Sequence, residues 1–287
     1  GRGRIGDDTH WDVNFTHGDA QLDTDNPTDI NNLKLAAALD AVNSGGQTVC
    51  KASLYNPAFS NCTPINLFGP TATTQAMMDY IEDDVYMTSR TVQDSVDASI
   101  SGTPFSTWAG PVTAALSGEW RSQSFQTRTN ATAADMADCA SLGYASANCK
   151  TGVTGAYVAT FANLDKVSQN VGEVAVEFNA PLLADKPLAQ SLNLNGALRY
   201  TSYSTSGNYT TWKLGVDWHL NDELRFRATD SQDIRAPTLY DLFQPAVTVP
   251  LNNYVDPLTG HTLPSVPSIN EGNPDLTAEL GHTLTAG

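Results

Sequence analysis

Apolar and polar residues alternate with a period of two in three consecutive segments between Ser191 and Thr229. Such alternation is typical of β-strands that have one apolar and one polar face. The apolar set consists of Leu192, Leu194, Gly196, Leu198, Tyr200, Trp212, Leu214, Val216, Trp218, Leu224, Phe226 and Ala228. The polar set includes Asn193, Asn195, Arg199, Lys213, Asp217, His219, Arg225 and Arg227. The second face carries too many charges to be a packed core.

Two kinds of sheet fit this pattern. In a soluble sandwich the polar face points to bulk water, whereas in a membrane barrel the apolar face contacts lipid and the polar face lines a lumen. Aromatic residues at the strand ends favour the barrel, because amphipathic rings collect at both bilayer interfaces. These residues are Tyr200, Tyr203, Trp212 and Trp218. The sequence has no run of roughly 18 to 20 apolar residues, which a spanning helix would require but a barrel does not.

The same pattern predicts about eight antiparallel strands along the chain. The candidates are residues 10–22, 86–101, 111–127, 169–180, 191–204, 209–219, 223–230 and a last strand that begins near residue 279. Short connections alternate with three long segments, which are residues 23–85, 128–167 and 231–278. In the first long segment, residues 29–43 predict one short helix that Thr28 or Asp29 caps and Gly45-Gly46 ends. We therefore predict an all-β, barrel-type sheet with long loops on one side.

Several motifs occur in a characteristic order. They are CTPINLFGP, STWAGPVTAALSGEWR, APLLADKPLAQSLNLNGALRYTSYSTSG, LRFRATDSQDIRAPTLYDLF and INEGNPDLTAEL. Each motif is weak alone, but their ordered set resembles the barrel of TonB-dependent outer-membrane receptors from about Asp40 to the C-terminus. Barrels of this family have about 22 strands around a plug. The resemblance therefore implies that residues 1–287 form an internal part of a barrel, without the plug, the N-terminal energy-coupling segment and the C-terminal strands.

The resemblance also implies a function and a location. A receptor of this family lies in the bacterial outer membrane, contacts its lipid, and imports a scarce nutrient with energy from the TonB complex. Metal chelates, cobalamin and oligosaccharides are the expected ligands. Two alternatives stay open, a hydrolase identified by activity screening and a soluble all-β binding module with acidic loops. Apolar stripes on adjacent strands argue against the soluble module, because they would exceed the apolar patch that a monomer normally exposes.

The net charge argues against a nucleic-acid partner, and the cysteine spacing favours disulfides over a zinc site. The chain has 287 residues and a formal net charge of −16, and a surface of this sign repels nucleic acid. The four cysteines form two closely spaced pairs, which suggests the loop disulfides Cys50–Cys62 and Cys139–Cys149. Zinc is a poor alternative, because neither pair is a CxxC motif and no histidine is near.

The sequence contains no motif that is typical of a catalytic site. The sequence has no G-x-S-x-G, no H-x-x-x-H and no phosphate-binding glycine loop. Glu173 and Glu177 share a polar face with Glu119 on the neighbouring strand, and paired acids of this kind can hydrolyse glycosides. A ladder of opposite charges across strands is the simpler interpretation. The residues predicted to face the lumen are Glu119, Arg121, Glu173, Glu177, Arg199, Lys213, Arg225 and Arg227. We predict no catalytic residue, metal or cofactor, and no enzyme.

Four residues are candidate ligand contacts by position in the family pattern. Tyr203 and Trp212 are expected near the external rim, Arg235 belongs to the I-R-A-P match, and Tyr240 lies in the loop after it. Aromatic rings stack on sugars or planar chelates, and arginine binds carboxylates in a bidentate manner. The alternatives are an aromatic girdle at the lipid interface and, for Arg235, an ion pair that anchors the loop. The family often has more cationic residues where this chain has Asp230 and Gln232, which argues against an anionic ligand.

Overall fold

A computed structural model describes residues 1–69 and 72–287 of the protein. The strands are β1 (Arg2–Ile5), β2 (Thr9–Ile30), β3 (Ala41–Ser44), β4 (Gln47–Cys50), β5 (Glu82–Thr107), β6 (Gly110–Thr129), β7 (Leu164–Lys186), β8 (Ala189–Tyr203), β9 (Gly207–His219), β10 (Arg225–Arg235), β11 (Val247–Val255), β12 (Thr262–Asn270) and β13 (Glu279–Ala286). The helices are α1 (Asn32–Leu39), α2 (Gln75–Ile81) and α3 (Leu239–Phe243).

Nine strands form one antiparallel sheet in the order β1-β2-β5-β6-β7-β8-β9-β10-β13. The strands β1 and β13 are its edges, so the sheet is not closed within the part of the chain that the structure describes. Two further hairpins, β3–β4 and β11–β12, stand outside it. The predicted all-β, antiparallel architecture is confirmed, and each of the eight predicted strands is present. The strand β1 was not predicted, because the segment RGRI is short and charged.

Several strands are longer than the sequence pattern predicts. The pairing of β2 with β5 continues to Ile30 and Glu82, beyond the apolar part of either strand. Residues 23–29 of β2 are polar or proline on both faces, so the period of two is lost from the sequence there. Thr88 Oγ1 donates a hydrogen bond to Asp23 Oδ1 at 2.8 Å across the two strands. The first long connection is therefore shorter than expected.

The predicted helix in this connection is also shorter, and its boundaries differ from the prediction. Asn31 is the N-cap of α1, because its side-chain oxygen accepts hydrogen bonds from the backbone N–H groups of Leu33 and Lys34 at 3.0 and 3.1 Å. The helix ends before Asp40. Gly45 and Gly46 have positive φ angles and form the turn between β3 and β4, so they do not cap α1.

The main packed core lies in two connections and not in the sheet. Residues 31–69 and 72–81, between β2 and β5, pack against residues 130–163, between β6 and β7; we call this unit the cap. Its buried core residues are Ala36, Ala37, Ala52, Phe59, Ala137, Cys139, Leu142 and Cys149. Both predicted disulfides, Cys50–Cys62 and Cys139–Cys149, are confirmed. The sequence predicted separate loops, whereas the structure joins them into one body.

The connections divide between the two ends of the sheet. Residues 6–8, 108–109, 187–188 and 220–224 make tight turns at one end, which we call the short-turn end. The cap, the turn at residues 204–206 and the connection 236–278 lie at the other end, the long-loop end. Within the described residues, no helix is both long enough and apolar enough to cross a membrane.

Candidate functional site

All eight charged side chains that were predicted to face a lumen lie on one face of the sheet, which we call the polar face. Strand register pairs Glu119 with Glu173, and Ala197 stands opposite both Glu177 and Lys213. Arg227 pairs with Asp217 and Arg225 with His219, again on this face. Because side chains alternate between faces, Arg121 and Arg199 fall on the same side as Glu119 and Glu173.

The centre of the polar face is a ladder of opposite charges. Arg121 Nη1 donates a hydrogen bond to Glu119 Oε1 at 2.7 Å, and Arg121 Nη2 lies 3.8 Å from Glu173 Oε1. On the next strand, Arg199 Nη1 lies 3.5 Å from Glu173 Oε2. Two cations thus balance two anions across β6, β7 and β8. This pairing is the arrangement expected of a charge ladder.

A wide groove lies nearer the short-turn end of the polar face. Its volume is about 590 Å³, and its lining includes His10, Ser101, Glu177, Asn195 and Lys213. The groove therefore offers both signs of charge together with amide and hydroxyl groups.

The opposite face of the sheet, the apolar face, is exposed over eight strands. Its exposed large side chains are Trp11, Val13, Phe15, Val96, Ile100, Leu116, Trp120, Val174, Val176, Phe178, Leu198, Tyr200, Leu214, Val216, Trp218, Phe226, Leu280 and Leu284. Soluble monomers seldom expose a contiguous apolar patch of more than about 600 Å². A face of this extent requires an apolar environment.

The four candidate ligand residues do not come together. Tyr203 lies on the polar face, with its ring centroid 6.1 Å from that of Tyr209. Trp212 lies on the apolar face, where it pairs with Leu198 and contacts the His282 ring at a centroid distance of 6.0 Å. This position favours the lipid-interface alternative for Trp212.

The other two candidates belong to one substructure at the long-loop end. Arg235 Nη1 donates a hydrogen bond to Glu279 Oε1 at 2.9 Å, and Arg235 Nη2 lies 3.8 Å from Asp241 Oδ2. These contacts favour the anchoring alternative for Arg235. Tyr240 lies in α3, and its ring meets the Phe125 ring edge-on at a centroid distance of 6.2 Å.

The helix α3 folds over the polar face and lies against β6 and β7. Its first turn is capped, because Thr238 Oγ1 accepts a hydrogen bond from the Asp241 N–H and donates one to the Asp241 carboxylate. Hydrogen bonds from Thr238, with a smaller contribution from the charge of Arg235, lower the pKa of Asp241.

Residues 272 and 273 hold α3 from its other side. The N–H of Gly272 donates to the carbonyl of Gln244 at 2.8 Å, and the N–H of Asn273 donates to that of Asp241 at 3.0 Å. A Cβ atom on Gly272 would lie 2.5 Å from the Gln244 nitrogen, so only glycine permits this contact. The segment therefore covers part of the polar face.

Four buried polar atoms on β6, on β7 and in the turn between β8 and β9 have no hydrogen-bond partner among the described residues. They are Arg121 Nε, Gln169 Nε2, Thr205 Oγ1 and Ser206 Oγ; we call these residues the donor cluster. Gln169 is 4% exposed and Ser206 is 8% exposed. Buried polar groups normally have partners, so an unpaired group of this kind indicates a functional site or stored strain. Only Arg121 of this cluster was predicted from the sequence.

No group of three or more His, Cys, Asp or Glu side chains among residues 1–69 and 72–287 is arranged to hold a metal ion.

The whole chain matches one protein family. The family model described as TonB dependent receptor-like, beta-barrel matches residues 1–287. The chain belongs to this family. The resemblance inferred from the ordered motifs is thereby confirmed for this TonB-dependent receptor barrel, and the match extends to the residues before Asp40.

Solved structures of receptors are similar to this TonB-dependent receptor barrel. The siderophore receptor PirA from Acinetobacter baumannii is 15% identical with a TM-score of 0.46, and the match covers 70% of this chain and 28% of PirA. A mutant ferric enterobactin receptor PfeA from Pseudomonas aeruginosa, in complex with enterobactin, is 12% identical with a TM-score of 0.44, and the match covers 97% of this chain and 38% of PfeA. The chain thus spans well under half of either structure. No curated protein matches the sequence.

Proposed function

We propose that this chain forms part of the wall and the external surface of an outer-membrane receptor that imports a scarce nutrient with energy from TonB. The observation that carries the proposal is the sheet with two different faces. One face is exposed and apolar over eight strands, while the other carries a paired charge ladder. A barrel wall between lipid and a water-filled lumen needs this combination.

In this proposal the apolar face contacts outer-membrane lipid and the polar face lines the lumen. The short turns lie in the periplasm, and the cap and the connection 236–278 lie outside the cell. The two disulfides of the cap fit an oxidising compartment. Ligand first meets the long-loop end, where Tyr203, Arg235 and Tyr240 lie. Transport then requires a plug and an energy-coupling segment, which other parts of the receptor supply.

The proposed function is that of a receptor and not of an enzyme. Two of the three acids that could have formed a glycosidase pair are engaged with arginines, since Glu119 binds Arg121 and Glu173 lies near both Arg121 and Arg199. A metal chelate, cobalamin or an oligosaccharide is the proposed ligand.

The proposal is tested with the protein expressed from its complete gene in a Gram-negative host. We expect it in the outer-membrane fraction, where detergent but not high salt extracts it. Cells should also accumulate one of three labelled probes, ferric citrate, cyanocobalamin or maltohexaose, and a strain without TonB should not. A protein found in the soluble fraction, or accumulation of none of the probes, would overturn the proposal. Accumulation that is independent of TonB would overturn its energetic part.

A further inference from the structure

We propose that the donor cluster is the binding site for a neutral, oxygen-rich ligand, an oligosaccharide, and that α3 is the lid that this ligand displaces. The inference rests on the proposed function, because it names the ligand class of the same receptor.

Strand register brings the donor cluster together. Arg121 pairs with Val171, which in turn pairs with Tyr203 on the next strand. The pairing then continues, because Ser204 N donates to the Asn170 carbonyl at 2.9 Å and Asn170 N donates to Ser204 Oγ at 2.9 Å.

One further step along the two strands places Gln169 level with Thr205, and Ser206 follows Thr205 in the chain. Gln169 also pairs with Gln123, the next residue after Arg121 on the polar face of β6. The four unpaired atoms thus belong to one patch on neighbouring strands.

The chemistry of these atoms specifies the ligand. A guanidinium N–H and an amide NH₂ can only donate hydrogen bonds, whereas the hydroxyls of Thr205 and Ser206 can donate or accept. A matching ligand therefore presents many oxygen acceptors and some hydroxyl donors. The positive charge of Arg121 is already balanced by Glu119 and Glu173. With a net charge of −16 on the whole chain, the site has no excess of positive charge for an anionic chelate.

Aromatic rings flank the same patch. Tyr203 and Tyr209 meet edge-on on the β8–β9 side, and Phe125 and Tyr240 meet edge-on on the β6 and α3 side. Aromatic rings with a few placed polar groups form typical small-molecule sites, and the rings can stack on the C–H faces of sugars. The patch therefore combines ring faces with donors, which suits a chain of neutral sugar rings.

The closed state, in which α3 lies over the polar face, contains a reason for a ligand to displace this helix. The helix has only five residues, and the buried donors on β6 and β7, the strands that it contacts, stay unpaired while it is closed. Unpaired buried donors destabilise this closed state. A ligand that forms hydrogen bonds with these donors binds the open state more tightly than the closed state. It shifts the equilibrium between the two states by that difference in affinity. The contacts of Arg235 and Gly272 hold the base of the lid.

The first test is a titration of the purified, detergent-solubilised protein by calorimetry. The probes are four neutral hexasaccharides, namely maltohexaose, xylohexaose, laminarihexaose and chitohexaose, with ferric citrate as the anionic probe. We expect one neutral probe to bind and ferric citrate not to bind. Gln169→Leu should then raise the Kd of that probe roughly tenfold or more, as loss of a buried hydrogen bond does. It should not lower the melting temperature, because the Nε2 group that it removes is unpaired in the closed state.

Gln232→Leu is the matched control, since Gln232 lies on the apolar face of β10 and pairs with Trp212. It should leave the Kd unchanged. A residue with a merely structural role would behave differently: Gln169→Leu would then lower the melting temperature and leave the Kd as it was, and this result would overturn the inference.

The second measurement is hydrogen exchange with and without the bound hexasaccharide. Exchange at the Leu242 and Gln244 amides, which donate to Thr238 and Tyr240 in the closed lid, should become faster with ligand. Slower exchange at these amides would contradict displacement of α3.

The two proposals fail in different ways. Binding of ferric citrate alone, or of no saccharide, overturns the oligosaccharide site but leaves TonB-dependent uptake of another ligand possible. A soluble protein that binds a hexasaccharide through Gln169 would overturn the receptor proposal and keep the site.

Discussion

The Tyr144 hydroxyl donates a hydrogen bond to Asp40 Oδ2 at 2.9 Å, although 104 residues separate the two in the chain. Ser146 Oγ and Asn148 Nδ2 donate to the same carboxylate, at 2.6 and 2.8 Å. Burial, together with the adjacent carboxylate, raises the pKa of Tyr144, so its hydroxyl stays a neutral donor at physiological pH. Asp40 follows α1 and Tyr144 lies in the second disulfide loop. This carboxylate therefore connects the two halves of the cap.

Replacing Asp40 should separate these halves. Asp40→Ala removes the acceptor of three donors, and we expect it to cost about 2 to 4 kcal/mol of local stability in the cap. Limited proteolysis in detergent should show faster cleavage within residues 130–163. Asp138→Ala, at an exposed aspartate of the same cap, is the control and should leave the rate unchanged. Equal cleavage rates for both variants would show that Asp40 does not connect the loops.

The disulfides should stabilise the cap through the loops that they close. For a loop of this size, chain entropy predicts a contribution of about 3 kcal/mol from Cys50–Cys62. The double variant Cys50→Ala/Cys62→Ala should therefore increase hydrogen exchange in both connections, because α1 packs against residues of the other loop. Exchange in β8 and β9 serves as the internal control. An increase confined to residues 51–61 would mean that the cap is not cooperative.

The two faces of β9 should respond differently to a charge. Leu214 is 48% exposed on the apolar face, and Lys213 beside it lies on the polar face. If Leu214 lies near the midplane of the bilayer, Leu214→Arg should cost about 2 to 4 kcal/mol, whereas Lys213→Arg should be neutral. Urea unfolding from lipid vesicles measures both. Single cysteines at the two positions offer a second readout, and equal reaction with a water-soluble reagent would contradict the assignment of faces.

The period of two was sufficient to predict the strands, because each strand crosses an environment that is apolar on one side and polar on the other. The pattern predicted β8 and β9 well, since Leu198 and Trp212 face the same side as expected. It failed where polar residues occupy both faces, as in residues 23–29 of β2. The cap was missed for a different reason. Its packing depends on contacts such as Asp40 with Tyr144, which join distant segments and leave no local signal.

The candidate site was predicted only in part. Charged residues such as Arg121 and Glu173 are conspicuous on a polar strand face, so sequence alone could identify them. Gln169 and Thr205 are ordinary polar residues in the sequence, and only burial without a partner distinguishes them. The position of α3 depends on the close approach of Gly272 to Gln244, which no spacing rule predicts.

The attachment of α3 should depend on pH through Asp241. Hydrogen bonds from Thr238, and to a lesser degree the charge of Arg235, lower its pKa in the folded protein. A lowered pKa stabilises the folded form above the unfolded value of about 3.9, and this stabilisation is lost as the pH falls through the folded value. Protection of the Leu242 and Gln244 amides, corrected for intrinsic exchange, should therefore be constant above about pH 5 and fall as the pH drops below the unfolded value of about 3.9. In Asp241→Asn, the protection of these amides should not depend on pH in this range. It should already be at the lower level at about pH 6, where the wild-type carboxylate is ionised.

Asp275→Asn, at an exposed aspartate of the same connection, is the control and should retain the wild-type pH profile. If the Asp241→Asn profile coincides with that of the wild type, the carboxylate of Asp241 does not anchor the lid, and the backbone contacts of Gly272 and Asn273 must hold it alone.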